Sequence, residues 1–432
     1  MNTHAKDLME YIDASPTMFH AIKNLAEILI KNGFTALAAS DKFELKAGGK
    51  YFLTNNNSSL IAWQNGTSVK NGFRIIGSHS DSPTFKIKPH PEILERGHYI
   101  KLNTEVYGGA ILSTWFDRPL SIAGRVVLKS DNLIQPEQKL VDFKKPMLII
   151  PNLAIHMNRE INDGYKYNKQ KDTLPLIALP ASETENFKPK NFLLNLLADR
   201  LKVSAEEILD FDLYLYDCQK SSFVGANEEF FSASRIDNLG MAFPSIQALI
   251  KAKPADFTQV ACVFDNEEVG SSTAPGAGSP FLSDTLKRIA CCENHESGFE
   301  LFQQSLAKSF LISADQAHAL HPNYAEKNDI TNFPMMNKGP AIKNAASMSY
   351  TSDSVSSGVF RSVCEKAGVP CQVFVNRSDM RGGSTIGPIT MTNLNIKSVD
   401  VGNPILSMHS VKELGGVKDQ EYITKAFIEF FK

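Results

Sequence analysis

Two adjacent carboxylates, Glu267 and Glu268, stand in the turn Asp265-Asn266-Glu267-Glu268-Val269-Gly270-Ser271, directly after the apolar run Val260-Ala261-Cys262-Val263-Phe264. Side by side, one carboxylate can hold a metal ion while its neighbour carries a proton, which is the division of labour of metal-assisted hydrolysis. Charges clustered in a turn are ordinarily solvated, so this reading depends on further ligands in comparable places. Phe73-Ile76 leads to His79, Phe310-Leu311-Ile312 leads to Asp315, Ile396-Val401 leads through Pro404 to His409, and Asp237 precedes a helical pattern. With the glutamate pair these make two histidines and four carboxylates. A mixed nitrogen and oxygen set suits zinc, cobalt or manganese, whereas an all-oxygen set would point to magnesium or calcium. The number of ligands fits two ions better than one.

Charge balance extends the argument. Two divalent ions bring four positive charges, and three ligand carboxylates offset three of them, so the site favours one hydroxide, the expected nucleophile. The fourth carboxylate then stays off the metals as a general base that takes a proton from water and returns it to the leaving amine. Neighbouring residues of an extended segment point opposite ways, so spacing alone does not say which glutamate does which. His79 and Asp81 are two apart and share a side, which lets Asp81 orient the imidazole.

Such residues need rigid elements to hold them. The Val260-Phe264 run, rich in β-branched and aromatic residues, predicts a buried strand, and open α/β sheets carry their chemistry beyond the carboxyl ends of such strands. A first helix is expected from Ser15-Pro16, a cap residue with proline at the first helical position, to a stop at Gly33. Short strands follow at Leu60-Trp63 and Phe73-Ile76. From about Ile93 to Phe231 the texture changes to β-like segments such as Ile122-Leu128 and Met147-Ile150 between polar loops. Helix and strand alternation then resumes with Asn238-Ala252, Thr258-Phe264, Asp284-Cys292, Ser309-Ala314, Val355-Ala367, Gln372-Val375 and Ile396-Val401. The expected organisation is a discontinuous catalytic domain, 1–92 and 232–432, interrupted by a β-rich insert at 93–231.

At 432 residues, 43% of them apolar, the chain can fill two cores. A formal net charge of −2 gives no footprint for nucleic acid or an anionic membrane surface. No apolar stretch reaches bilayer-spanning length and the first residues lack the apolar core of a signal peptide, so a cytoplasmic protein is expected. The six cysteines form no C-x-x-C pair and are expected to be reduced.

The strings GSHSDSP (77–83), SRIDNL (234–239), DNEEVGS (265–271), SADQAHALHPNY (313–324), GGSTIGPI (382–389) and MHSVKE (408–413) resemble the aspartyl aminopeptidases, dinuclear zinc exopeptidases. The resemblance implies an α/β, mixed-sheet zinc-peptidase catalytic domain with an inserted β-rich dimerisation domain. It implies one zinc on His79 and Asp315, the other on Glu268 and His409, Asp237 bridging both, and Glu267 as the base. It implies further that Lys343 pairs with an acidic side chain at the substrate's amino terminus, that Tyr350 hydrogen-bonds the developing oxyanion, and that His156 reaches the active site of a neighbouring subunit. Dimers that build a tetrahedral dodecamer, acting on peptides with N-terminal Asp or Glu, complete the expectation. Related dinuclear peptidases also hold the bond after the bridging aspartate in the cis form, here Asp237-Asn238. Two other readings fit the same core: a neutral, Leu-type aminopeptidase or acylase, and a non-enzymatic oligomeric shell that binds peptides or cargo. His318, His321 and Asp379 are singled out without a role.

Overall fold

The computed structural model describes residues 3–180, 191–294 and 296–432. The chain divides into two compact units, one formed by the residues up to Ser82 with Ser221–Met408 and Glu413–Lys432, the other by Pro83–Lys220 with His409–Lys412.

The first unit is built on a nine-stranded sheet in the order Thr35–Ala36, Lys50–Asn55, Ser59–Gln64, Thr258–Phe264, Phe73–His79, Phe310–Ala314, Lys397–Gly402, Ala341–Asn344, Gln372–Val375. The four strands from Thr258–Phe264 to Lys397–Gly402 run parallel, and their outer neighbours Ser59–Gln64 and Ala341–Asn344 pair with them antiparallel. All seven residues of Thr258–Phe264 are buried, as a strand covered on both faces requires. Alternation sends Ala261 and Val263 into one core and Val260, Cys262 and Phe264 into the other. Helices Thr3–Asp13, Met18–Lys31, Ile236–Lys251, Ser354–Ala367 and Val417–Phe430 close the first core, and Phe281–Glu293, Gly298–Ala307 and Ile386–Leu394 close the second. Each fully buried Leu, Ile or Phe on these faces contributes about 1.5–3 kcal/mol. A five-stranded sheet, in which Phe230–Ala233 pairs with Glu413–Gly416, completes the unit.

Register places the chemistry. Phe264 lies opposite His79, Ser313 opposite Gly77 and Ala314 opposite Val401. The parallel strands therefore end at one rim, and the residues that follow them, Asp265 to Glu268 and Asp315, leave the sheet beside His79.

The second unit carries a six-stranded sheet in the order Glu137–Asp142, Leu120–Leu128, Ile208–Asp217, Thr84–Glu95, Tyr99–Tyr107, Leu176–Ala178. Its core joins Phe85, Ile122, Val126 and Leu213 to Leu193 and Leu197 of helix Phe192–Leu201. The segment 409–412 packs here: Ile111 N–H donates to the His409 carbonyl at 3.0 Å and Val411 N–H to Thr114 Oγ1 at 3.0 Å. The expected start of the insert at 93 falls inside strand Thr84–Glu95, whose pairing with Tyr99–Tyr107 carries the unit back to Pro83. The stretch 181–190 of that expected insert lies outside the described residues.

Two local expectations change. Ser15 N–H closes the end of helix Thr3–Asp13 on the Ile12 carbonyl, so Ser15 and Pro16 are spent in the connection and the next helix begins at Met18 after Thr17. Met147–Ile150 forms only isolated bridges, because Pro146 and Pro151 on either side cannot donate to a ladder. Among the described residues the cysteines are free, and no helix is long and apolar enough to cross a membrane.

Candidate metal centre

His79 ends its strand and is buried, 1% exposed. Its Nδ1 faces Asp81, 3.1 Å from the main-chain carbonyl and 3.3 Å from Oδ1, which leaves Nε2 turned toward Asp237 Oδ1 at 3.5 Å and Asp315 Oδ1 at 3.6 Å. The last two distances are longer than a normal hydrogen bond. They match the separation of about 3.3–3.4 Å between ligands of a tetrahedral ion bound at zinc-type bond lengths. His79, Asp237 and Asp315 keep their ligand atoms within 4.8 Å of one another, and Asp237 and Glu268 likewise bring carboxylate oxygens within 4.8 Å. An imidazole with carboxylates at these distances fits zinc.

Each ligand is fixed from behind. Asp81 accepts the Glu267 N–H on Oδ1 and the Glu268 N–H on Oδ2, both at 3.1 Å, so the carboxylate that meets the imidazole also sets the glutamate turn. Asn266 in the left-handed region, φ 60°, turns the chain out of the strand into that position. Asp237 donates its N–H to Glu413 Oε2 at 2.9 Å, its carbonyl accepts from Ser82 Oγ at 2.6 Å, and its peptide bond to Asn238 is cis. Asp315 N–H bonds the Val401 carbonyl at 3.0 Å, and its Oδ2 lies 3.4 Å from Lys343 Nζ.

Burial and crowding of like charge shape the electrostatics. Burial, with Asp315, Asp237 and Asp81 adding to it and His79 opposing, pushes the Glu267 carboxyl up to about 8. Burial and then Asp237 push Glu268 well above the carboxylate range, again against His79. Burial and Asp81 bring Asp265 to about 7. Burial disfavours charge on His79, yet Asp237, Asp315 and Asp81 together raise it well above an ordinary imidazole. Buried carboxylates crowded this closely call for positive charge at their centre, which divalent ions supply.

The remaining singled-out residues occupy varied places. Lys343 is 3% exposed rather than solvated, donates to the Gln316 carbonyl at 3.0 Å and sits 5.3 Å from the Tyr350 ring centre. Burial opposes its charge, but Asp315, Tyr350 and Asp400 outweigh that and hold it above an ordinary lysine. Tyr350 is buried, edge-on to Phe374. His409 belongs to the second unit, in the left-handed region at φ 68°, with Nδ1 3.2 Å from the Gly109 carbonyl; a Cβ on Gly109 would stand 3.3 Å from that nitrogen. His156 lies exposed in a turn of the second unit. His318 and His321 pack against Phe374 and Tyr324. Asp379 is spent in a surface ion pair with Arg377 at 2.6 Å.

Glu413 and Asp400 are among the buried carboxylates that escaped the sequence reading. Glu413, 2% exposed, orients Asp237 through its backbone; its only signal is that it closes the MHSVKE string. Asp400, wholly buried, accepts the Thr351 N–H at 2.6 Å and the Thr385 hydroxyl at 2.7 Å, tying the residue after Tyr350 to the cap of helix Ile386–Leu394. A charge inside a strand of apolar neighbours was its signal.

Comparison with known proteins agrees with this chemistry. Residues 11–431 match the family model for aminopeptidase I zinc metalloproteases, M18. A probable M18 family aminopeptidase 2 of Clostridium novyi (strain NT) is 52% identical over 429 residues, 99% of this chain and 98% of its own. In the cryo-EM structure of the Ape4 and Nbr1 complex, the matching chain is 39% identical with a TM-score of 0.93, over 99% of this chain and 85% of that one. The S. cerevisiae mApe1 dodecamer is 26% identical with a TM-score of 0.84, over 100% and 97% of the two chains. The chain belongs to the M18 family of zinc metallopeptidases. It is a zinc-dependent aminopeptidase.

Proposed function

We propose that the enzyme removes N-terminal Asp or Glu from peptides, with Glu267 as general base and Lys343 reading the acidic side chain. His79 and Asp315 would hold one zinc, Glu268 and His409 the other, with Asp237 between them. The bound ions supply Lewis acidity and lower the pKa of water at the site. Glu267 accepts a proton from the attacking water and passes it to the leaving amine. Asp81 holds the imidazole and the glutamate turn together while the proton moves. Tyr350 donates to the carbonyl oxygen as charge builds on it.

The observation that carries the acidic preference is Lys343. An ammonium has three donors; Gln316 and Asp315 take two, at 3.0 and 3.4 Å, and the third suits a substrate carboxylate. The Lys343–Asp315 pair also gives weight to the neutral-preference reading, in which the lysine only steadies a metal ligand. Rates on aspartyl, glutamyl and leucyl p-nitroanilides, for wild type and Lys343→Met, separate the two. Acidic reading predicts that the variant loses about tenfold or more on the acidic substrates and little on leucyl. An equal loss on all three, with zinc released, would replace it with the neutral reading.

Dimers formed through the insert and assembling into a tetrahedral dodecamer are proposed with it. Support comes from the dodecameric relative and from the exposed apolar residues Leu153, Ile155 and Met157 around His156, which suit a contact with a neighbouring copy.

A further inference from the structure

In the first unit, the amino ends of the parallel strands border a cleft of about 920 Å3 that the peptidase chemistry does not use. Phe310 opens its strand with Arg74 and Lys397 as its cross-strand neighbours on either side, so two cations flank one aromatic ring on the same face of the sheet. Phe430 meets Phe310 edge to face at 6.0 Å and extends an apolar floor. Arg74 is fixed there, its guanidinium over the Phe257 ring at 4.7 Å and donating to the Lys308 carbonyl at 3.1 Å. Lys308, Lys366 and Lys432 add to the lining, while its one carboxylate, Glu429, is paired with Lys432 at 2.6 Å. A cleft with four cations beyond that neutral pair stands out on a chain whose formal net charge is −2.

The shape gives the length of the occupant. Val355, Val359, Ser362 and Lys366 line the cleft along one face of helix Ser354–Ala367. That stripe covers three turns, roughly 16 Å at the helical rise, which an extended peptide spans with about five residues. Val355 is 57% and Val359 37% exposed, so the wall offers apolar contact as well as charge. We propose that this groove binds an extended acidic segment of a partner polypeptide, about five residues long and carrying apolar side chains among its carboxylates. A compact anion would leave the Phe310, Phe430, Val355 and Val359 surface unused.

The test uses the zinc-loaded full chain and a fluorescein-labelled peptide, acetyl-Glu-Phe-Glu-Val-Asp-Glu, whose blocked amino group keeps it from aminopeptidase turnover. Anisotropy should show saturable binding that weakens as salt screens it, about tenfold weaker for the exposed double variant Lys366→Glu/Lys397→Glu. Activity on aspartyl p-nitroanilide should be unchanged in that variant, and acetyl-Glu-Gly-Glu-Gly-Asp-Glu should bind several-fold less well, roughly as lost apolar burial requires. Equal affinity of wild type and variant, no saturation, or equal binding of the glycine peptide would overturn the proposal. So would a lower sedimentation mass for the variant, which would make the groove a contact between copies of this chain.

Discussion

Glu267 sits on a turn whose backbone is gripped by Asp81 and whose carboxyl faces Asp315, Asp237 and Asp81, two of them proposed metal ligands. Its proposed work is proton transfer alone, which separates it from Glu268 beside it. Glu267→Gln keeps the size and the turn but cannot take a proton, so kcat should fall by about 10²–10⁴. Zinc content measured by mass spectrometry should stay at the wild-type value; loss of metal in step with activity would move Glu267 into the ligand set. The sequence exposes residues of this kind because a carboxylate or imidazole placed just past an apolar run has few other reasons to be there. Glu413 and Asp400 stayed hidden for a physical reason. They act on main-chain N–H groups and hydroxyls, and a lone charge in an apolar strand or at the end of a motif does not tell which backbone group it holds.

Among the elements, the buried parallel strands were the most legible, since a strand covered on both faces is a largely apolar run: Thr258–Phe264 is found as read. The short strands of the five-stranded sheet, two to four residues each, offer too few positions for a period to show. Strand packing leaves little room beside the ligands. A Cβ on Gly402 would stand 1.9 Å from the Asp315 carbonyl oxygen. Gly402→Ala must therefore push the Asp315 backbone away, and urea unfolding should show a loss of about 1–3 kcal/mol or more; an unchanged midpoint with full zinc affinity would contradict the close approach. Helix Val417–Phe430 contributes a second device. Asp419, in its first turn, accepts the N–H groups of Asn337 at 2.6 Å and Gly339 at 2.9 Å, at the start of the segment that leads to Lys343. Burial raises its carboxyl to about 7 against those hydrogen bonds. A folded pKa above the unfolded one means stability fully present below about pH 4 and lost as pH rises through about 7. Comparing unfolding midpoints of wild type and Asp419→Asn from pH 5 to 8 should show a downward slope that is shallower in the variant, since the raised carboxyls of Asp265 and Glu267 keep their share of it.

At the scale of the molecule, composition suggested two cores, but nothing in four residues such as 409–412 could show that they pack with the other unit. Segments that short have no composition of their own. The assembly makes a separate prediction. If His156 serves a neighbouring copy, mixing inactive His156→Ala dimers with inactive Glu267→Ala dimers under subunit exchange should restore part of the activity, because some sites then receive both intact groups. No recovery after verified exchange would leave His156 a surface residue.

The strand that ends in His79 lies between Thr258–Phe264 and Phe310–Ala314, partners that follow it by some 180 and 230 residues in the chain. A ribosome adding about 5–20 residues per second would complete those partners only after roughly ten seconds or more. Until then both edges of an apolar strand containing Phe73, Ile75 and Ile76 stay open to pairing with other chains. The cell thus inherits an interval in which the future centre of the enzyme is an open, apolar strand, and folding helpers that shield nascent strands should matter while the second unit is being made.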